Sequence, residues 1–557
     1  MSLRLSRFVL FLAVAVPVAC SSAAGPARPP AGRGVYVNSD AWNFWLNDKM
    51  GGYSAEELKR AIEADVDFYA VPGVRAVFYN MNFQRCFFPT KAGTPYWKDV
   101  SFAPDGKMLL RGKPLSFRAD ESPEAETAYR VMYHAVTNMV RQLPSFVAYR
   151  YGCCHRKGVE MWHSFRVNDI HHATLGQEWR PQHCDLWLDD KSAIRAWYRH
   201  AWRGEWTDGT LDYANRRVCE QQLGIVREYL MDYPSDGLEF DWLRAVPVFR
   251  PGFDDANRGI LTQFLRETRR IADEAEKKWG RPIRLAHRVP ARVRDAHGVG
   301  LDIAAWAREG LVDVLIAGGC PGTATEQDCD VALYRALVPP PVILASEIDC
   351  TVFAAPGWRL TIDDSRYEQA IDVGFASSFY QQGADAIYFY NHFPRHAAKH
   401  GWIRDLFTKA ADRAAVAALP RRHPATFHTH CGESRNDETP FPVAIWPQGC
   451  NGGVNVCCGE GTAGRRARVI VGATVPLDVN VLVNAVPCGR AKALEDTERY
   501  PSRADCTSHY YTAEIPSGAL HDGINNVELF NCGTETVMCA QLVWLEVALD
   551  RPCPAFP

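Results

Sequence analysis

The sequence predicts an α/β chain, a (β/α)8 TIM barrel followed by an all-β, jelly-roll-like sandwich. Three observations carry that expectation. From residue 34 to about 410, strand-like and helix-like segments alternate and give eight strands, each but the last followed by a helical segment. The polar residues with the most chemical potential gather at or just past the carboxyl ends of those strands, where α/β folds bind ligands. From about Arg421 the helical period stops, and short β-rich runs separated by Gly, Asn and Asp turns follow.

The elements follow in order. Gly34 to Asn38 is a short β-branched strand, leading into the polar aromatic loop Ser39 to Trp45. Ser54 to Ala64 opens like a capped helix, with Ser54 as N-cap and Glu57 three residues on. Val74 to Asn80 is the second strand, Glu124 to Gln142 a helix of 3.6-residue period, and Val159 to His163 the third strand. A polar loop, Ser164 to His172, comes directly after it. A helix from about Tyr213 to Asp232 leads into the fourth strand, Leu238 to Trp242. Another, about Asp255 to Lys278, leads into the fifth, Ile283 to Val289. Val312 to Ala317, Val342 to Ile348 and Ala386 to Asn391 complete the eight, with helical segments at Asp302 to Arg308 and about Tyr367 to Gln382. A doubly wound sheet competes, but no Gly-rich dinucleotide loop follows the first strand.

The chain has 557 residues, too many for one core, and 47% apolar content is ample for two. A net charge of −3 with both signs interspersed gives nucleic acid no footing as a partner. Arg4 and Arg7, the apolar run Phe8 to Val16 and the small residues Ala19 to Ala24 read as an export signal over residues 1–24, with a tether over 25–33. Val18-Ala19-Cys20 is lipobox-like, which would anchor the chain to a membrane through a lipid on Cys20, although Pro17 departs from that motif. Domains are expected over 34–415 for the barrel and 421–557 for the sandwich. Eighteen cysteines in an exported chain favour disulfides. No spacing resembles a paired zinc site, and neither a metal nor a cofactor is expected.

Chemistry concentrates in Asp236 to Arg244, D-G-L-E-F-D-W-L-R. On a strand, Leu238, Phe240 and Trp242 share one face, while Glu239 and Asp241 share the other, about 7 Å apart. Two buried carboxylates cost several kcal/mol unless paired or used. Arginines such as Arg244 and Arg288 are the partners to expect in the purely structural reading. The other strand-end residues are Asn38, Asn80, Asn82, Arg166, Asn168, Asp169, His171, Arg288, Glu347 and Asn391, with Asp349 just beyond Glu347 and His287 beside Arg288. Asp40, Trp42 and Trp45 sit in the first loop. Flat rings suit the C–H faces of sugars, and Trp42, Trp45 and Trp162 are candidate platforms against a background of ordinary packing.

The segment Leu211-Asp212-Tyr213-Ala214-Asn215 through Val218, then Val226 to Tyr229 and Asp236 to Asp241, resembles the family-10-like glycosyl hydrolases, bacterial barrel proteins. Asn215-Arg216-Arg217 stands where that family has a proline-containing turn. The resemblance implies a secreted carbohydrate-active enzyme and is silent on the sugar. The fourth strand is also similar to the chitinase motif DGxDxDxE, but Leu243 stands where the acid catalyst would be. Glycoside cleavage needs one carboxyl to protonate the leaving oxygen and another to attack or to activate water. Glu239 is expected as acid/base and Glu347 as nucleophile or base, with Asp241 as the alternative for either. Asn38, Asp40, Trp42, Trp45, Asn80, Arg166, Asn168, Asp169, His171, Arg288 and Asn391 are expected to contact substrate. The rival reading is a non-catalytic glycan-binding protein on the same scaffold.

Overall fold

The computed structural model describes residues 33–550 apart from 117–123, 170–178, 195–208, 245–247, 251, 320–323, 356–357, 395, 397–398, 427–442, 446–448, 450–452, 503–507 and 534–539. The signal segment with Cys20, all of the tether but Arg33, and His171 lie outside the described residues.

Eight parallel strands close a barrel: β1 Gly34–Ser39, β2 Val74–Asn80, β3 Glu160–Arg166, β4 Gly237–Asp241, β5 Arg284–Pro290, β6 Val314–Gly318, β7 Ile343–Asp349 and β8 Ala386–Tyr390. Each strand pairs with its neighbours in chain order, and β1 closes on β8 with Gly34 opposite Ala386. Period-2 alternation sorts the side chains. Tyr36, Phe78, Trp162, Ile316, Ala345 and Tyr388 fill the lower barrel, while Leu238, Phe240 and Leu285 face outward into the helix-covered core.

The helices form where their signals stand. α1 Ala55–Tyr69 starts at a complete capping box, Ser54 with Glu57. α2 Arg216–Asp232 is capped by Asn215, whose side chain accepts from Arg217 N–H, and α3 spans Asp254–Trp279. In α4 Gln369–Gln382 every residue from Ile371 to Tyr380 is buried, because the C-terminal domain covers the side a barrel helix would show to water.

That domain consists of two antiparallel sheets around one apolar core. Strands Val443–Ile445, Ala467–Ala473, Val479–Val483, His509–Ile515, Ile524–Asn531 and Ala540–Leu549 match the expected runs. Arg421–Pro424, Val454–Cys457 and Val486–Arg490 join them.

Three expectations change. The third strand runs on to Arg166, so Ser164 to Arg166 belong to the barrel wall and not to a loop. Ser39 closes β1, and Ala41–Trp45 forms one helical turn capped by Asp40, whose carboxylate accepts the Trp42 N–H at 3.1 Å. The eleven cysteines among the described residues are all free thiols, seven of them in the barrel and buried or half-buried, where they pack as small apolar groups rather than as cross-links.

Candidate active site

The barrel's interior residues form tiers, and the acids occupy two of them on β4 and β7. Asp241 and Asp349 are the last residues of their strands, and Glu239 and Glu347 lie one inward-facing position below. All four are essentially buried. Their fates differ according to their partners.

Arg288 on β5 sits between the two strands and holds both. Its Nη1 donates to Asp241 Oδ1 at 2.7 Å, while Nε and Nη2 fork onto both oxygens of Glu347 at 2.5 and 2.8 Å. Its guanidinium lies 3.8 Å above the Tyr390 ring. Glu347 reaches it by crossing β6 at Gly318, where a Cβ would stand 1.9 Å from Glu347 Oε2. The fork engages both oxygens of Glu347.

Among the described residues, the other three acids each keep one oxygen unengaged. Asp241 Oδ1 takes Arg288 and the Leu243 N–H, and among the described residues Oδ2 accepts nothing. Asp349 accepts from Asn391 Nδ2 at 3.0 Å on Oδ2 and leaves Oδ1 free. Glu239 Oε1 accepts the Tyr388 hydroxyl at 2.7 Å and leaves Oε2 free. Burial, with Asp241 adding to it, raises Glu239 to about 7 against the pull of Ser164, Tyr388 and Arg288. Burial also raises Glu347 to about 7, with Arg288 opposing, and pushes Asp349 up, with His392 and Arg288 opposing.

A second network rims the first. Arg166 at the end of β3 donates to Asp169 at 2.5 Å and pairs with Asp40 at 2.7 Å. Arg244 donates to the Tyr390 oxygen at 2.8 Å and approaches Asp40 at 3.7 Å. Asn38, at the mouth on β1, makes no side-chain hydrogen bond among the described residues, and Asn80 on β2 keeps its carbonyl oxygen free while its amide donates to Asn82 O.

The strand-end rule therefore brings together Asn38, Asp40, Asn80, Arg166, Asp169, Glu239, Asp241, Arg288, Glu347 and Asn391. Several candidates serve other ends. The Asn168 side chain donates to Leu211 O at 3.0 Å and accepts its N–H at 2.8 Å, so it clamps two loop segments together. Trp45 is buried between Phe44, Phe87 and Phe146. Trp162 is buried two inward-facing positions below Arg166, packed on Phe78 in the barrel floor, out of reach of a sugar. Trp42 remains half-buried against Phe83 and Tyr129. His287 points outward, stacked on Phe240 at 5.5 Å between centroids, and burial lowers it to about 4. Asn82, on its own bridge, accepts from Arg166 N–H and the Tyr229 hydroxyl.

Sequence reasoning missed Tyr388, Tyr390, Arg244 and Gly318 as site residues and named Asp349 without a role. Alternation in Ala386 to Asn391 marks both tyrosines as inward. Nothing local marks Gly318, whose constraint comes from the next strand.

No family model matches the sequence and no curated protein does, so the family-10-like resemblance rests on its own motifs. Among solved structures the chain is similar to a Paenibacillus sp. cycloisomaltooligosaccharide glucanotransferase, at 8% identity and TM-score 0.31, over 92% of this chain and 57% of that one. It is also similar to the catalytic domain of psychrophilic chitinase B from Arthrobacter TAD20, at 13% identity and TM-score 0.35, over 68% and 96%. The PgaB glycoside hydrolase domain from Bordetella bronchiseptica matches at 13% identity and TM-score 0.40, over 68% and 99%. Likeness at this level carries nothing about chemistry, which rests on the side chains described above.

Proposed function

We propose that the chain is a glycoside hydrolase, exported from its cell, in which Asp241 is the attacking or water-activating carboxylate and Asp349 the proton donor. The observation that carries this reading is the pair of strand-end carboxyls on β4 and β7, each fixed through one oxygen and, among the described residues, without a partner at the other. A glycosidic bond needs two carboxyls in opposite protonation states on either side of it. Asp241 is held by Arg288 at 2.7 Å, while burial raises Asp349 and favours its protonated form, as a proton donor requires. Glu239, one tier below, keeps its proton up to about pH 7 and so spares Asp241 a like charge on its own strand.

Glu347 takes a different part from the expected nucleophile. It anchors Arg288, and Arg288 orients Asp241. Asn38 and the Asn80 carbonyl, with unspent polar atoms at the mouth, suit sugar hydroxyls. The resemblance of Asp236 to Asp241 to family-10-like glycosyl hydrolases supports the same substrate class.

Reducing-end release from a panel of plant and algal polysaccharides tests this directly. Asp241→Asn and Asp349→Asn should each lower turnover at least about a hundredfold with the fold intact. Wild-type turnover in either variant removes its residue from the mechanism. Glycan binding by the parent without any cleavage would instead favour the non-catalytic binder.

A further inference from the structure

A second concave site lies at the same end of the barrel as the acids, and we infer that it is a subsite for a neutral pyranose unit of an extended glycan. The inference rests on the glycosidase reading for its substrate class, but its own observations are separate. A cavity of about 340 Å³ is lined by Ser192, Asp212, Asn215, Arg250, Phe253 and Asn257, within the size range of small-ligand sites. Phe253 is 56% exposed, the most exposed aromatic side chain among the described residues. A bare ring costs apolar surface in water unless something covers it.

Position ties the cavity to the mouth of the barrel. One wall, Asp212 and Asn215, belongs to the segment that the Asn168 clamp fastens to the end of β3 through Leu211. The other, Arg250 and Phe253, follows β4, and the two walls are joined where Tyr213 N–H donates to Val248 O at 3.0 Å. Both therefore stand on the face to which Asp241 and Arg166 point.

Chemistry selects the occupant. A pyranose presents a C–H face to an aromatic ring and hydroxyls around its edge that both donate and accept. The lining offers that combination: the Phe253 ring, the Asn215 and Asn257 amides, the Ser192 hydroxyl and the Asp212–Arg250 pair. Arg250 Nε lies 3.2 Å from Asp212 Oδ2, so the lining carries one charge of each sign and no net charge. An unbalanced arginine would favour a uronate or a sulfate. A balanced pair favours a neutral sugar, held by charge-assisted bonds to its hydroxyls.

Calorimetric titration of the Asp241→Asn chain, which holds substrate without turning it over, is the test. The titrants are neutral hexasaccharides of gluco, xylo, manno and galacto configuration, and a hexagalacturonate. The expected result is binding of at least one neutral chain, weakened about tenfold by Phe253→Ala and recovered by Phe253→Trp. Three results would overturn the subsite: binding unchanged by Phe253→Ala, binding of the hexagalacturonate alone, or binding of none of these chains. Failure here separates from failure of the hydrolase. Cleavage of a chain whose binding ignores Phe253 leaves the hydrolase and removes the subsite. A Phe253-dependent chain that Asp241→Asn cleaves as fast as the parent does the reverse.

Discussion

At the residue scale, Glu239 sets a pH dependence with a defined sign. In the unfolded chain its carboxyl ionises near the ordinary 4.5, whereas in the barrel burial and Asp241 hold the proton to about 7. The folded state therefore binds the extra proton. The stability this contributes is full below about pH 4.5 and lost as pH rises through about 7. At 1.36 kcal/mol per pH unit, the loss is on the order of 3 kcal/mol for this fully buried group. Glu239→Gln keeps an acceptor for the Tyr388 hydroxyl but has no proton to lose. Urea midpoints at pH 5 and pH 8 should show the variant gaining on the parent by about 1–3 kcal/mol between the two. Parallel pH curves for the two chains would place the carboxyl in a more polar setting than its partners indicate.

At the scale of elements, the site is a relation among three adjacent strands. Glu347 on β7 passes over β6 to grip Arg288 on β5, and it passes where Gly318 has no side chain. Gly318→Ala should lower stability by about 1–3 kcal/mol through overpacking and should displace Arg288 from Asp241, with turnover falling too. Shortening Glu347 to Asp in the same chain should recover part of the stability, a coupling that a double-mutant cycle measures. Additive effects of the two changes would mean the glycine is not there to admit Glu347. This relation also shows what could be read from the sequence. Local period and caps carry the eight strands, α1 with Ser54 and Glu57, and the inward side of Glu239 and Asp241, because each depends on residues a few positions apart. Depth within the barrel does not follow from alternation. Trp162 and Arg166 share a face, yet two tiers separate a floor plug from a mouth residue, and placing the strand's end at His163 hid that difference. Asn168 looked like a ligand residue because its partner, Leu211, lies far along the chain. The Arg288 fork is likewise long-range, so Glu347 could be seen as an acid and not as a closed one.

At the scale of the whole molecule, one face of the sandwich's larger sheet joins the barrel's core, while the sandwich keeps an apolar core of its own between its sheets. Ile470, Tyr510 and Trp544, from three strands of its larger sheet, belong to the same apolar cluster as the barrel helices. α4 lies against Arg421–Pro424 so closely that a Cβ on Gly374 would stand 2.0 Å from Arg422 O. Arg422 itself donates Nε and Nη2 to the two oxygens of Glu546 at 2.8 and 2.7 Å, both side chains buried, and Arg499 grips Glu368 on the barrel side at 2.8 and 2.7 Å. Because α4 is buried on both sides, neither half can present a water-compatible surface alone. The intact chain should therefore unfold in one calorimetric transition, with its van't Hoff and calorimetric enthalpies equal. A chain ending at residue 420 should be insoluble or lack a cooperative transition, since it would expose the face of α4 that meets Arg422. Two resolved transitions in the full chain, or a soluble and cooperatively folding barrel fragment, would show that the contact is a docking surface between independent domains and not one continuous core.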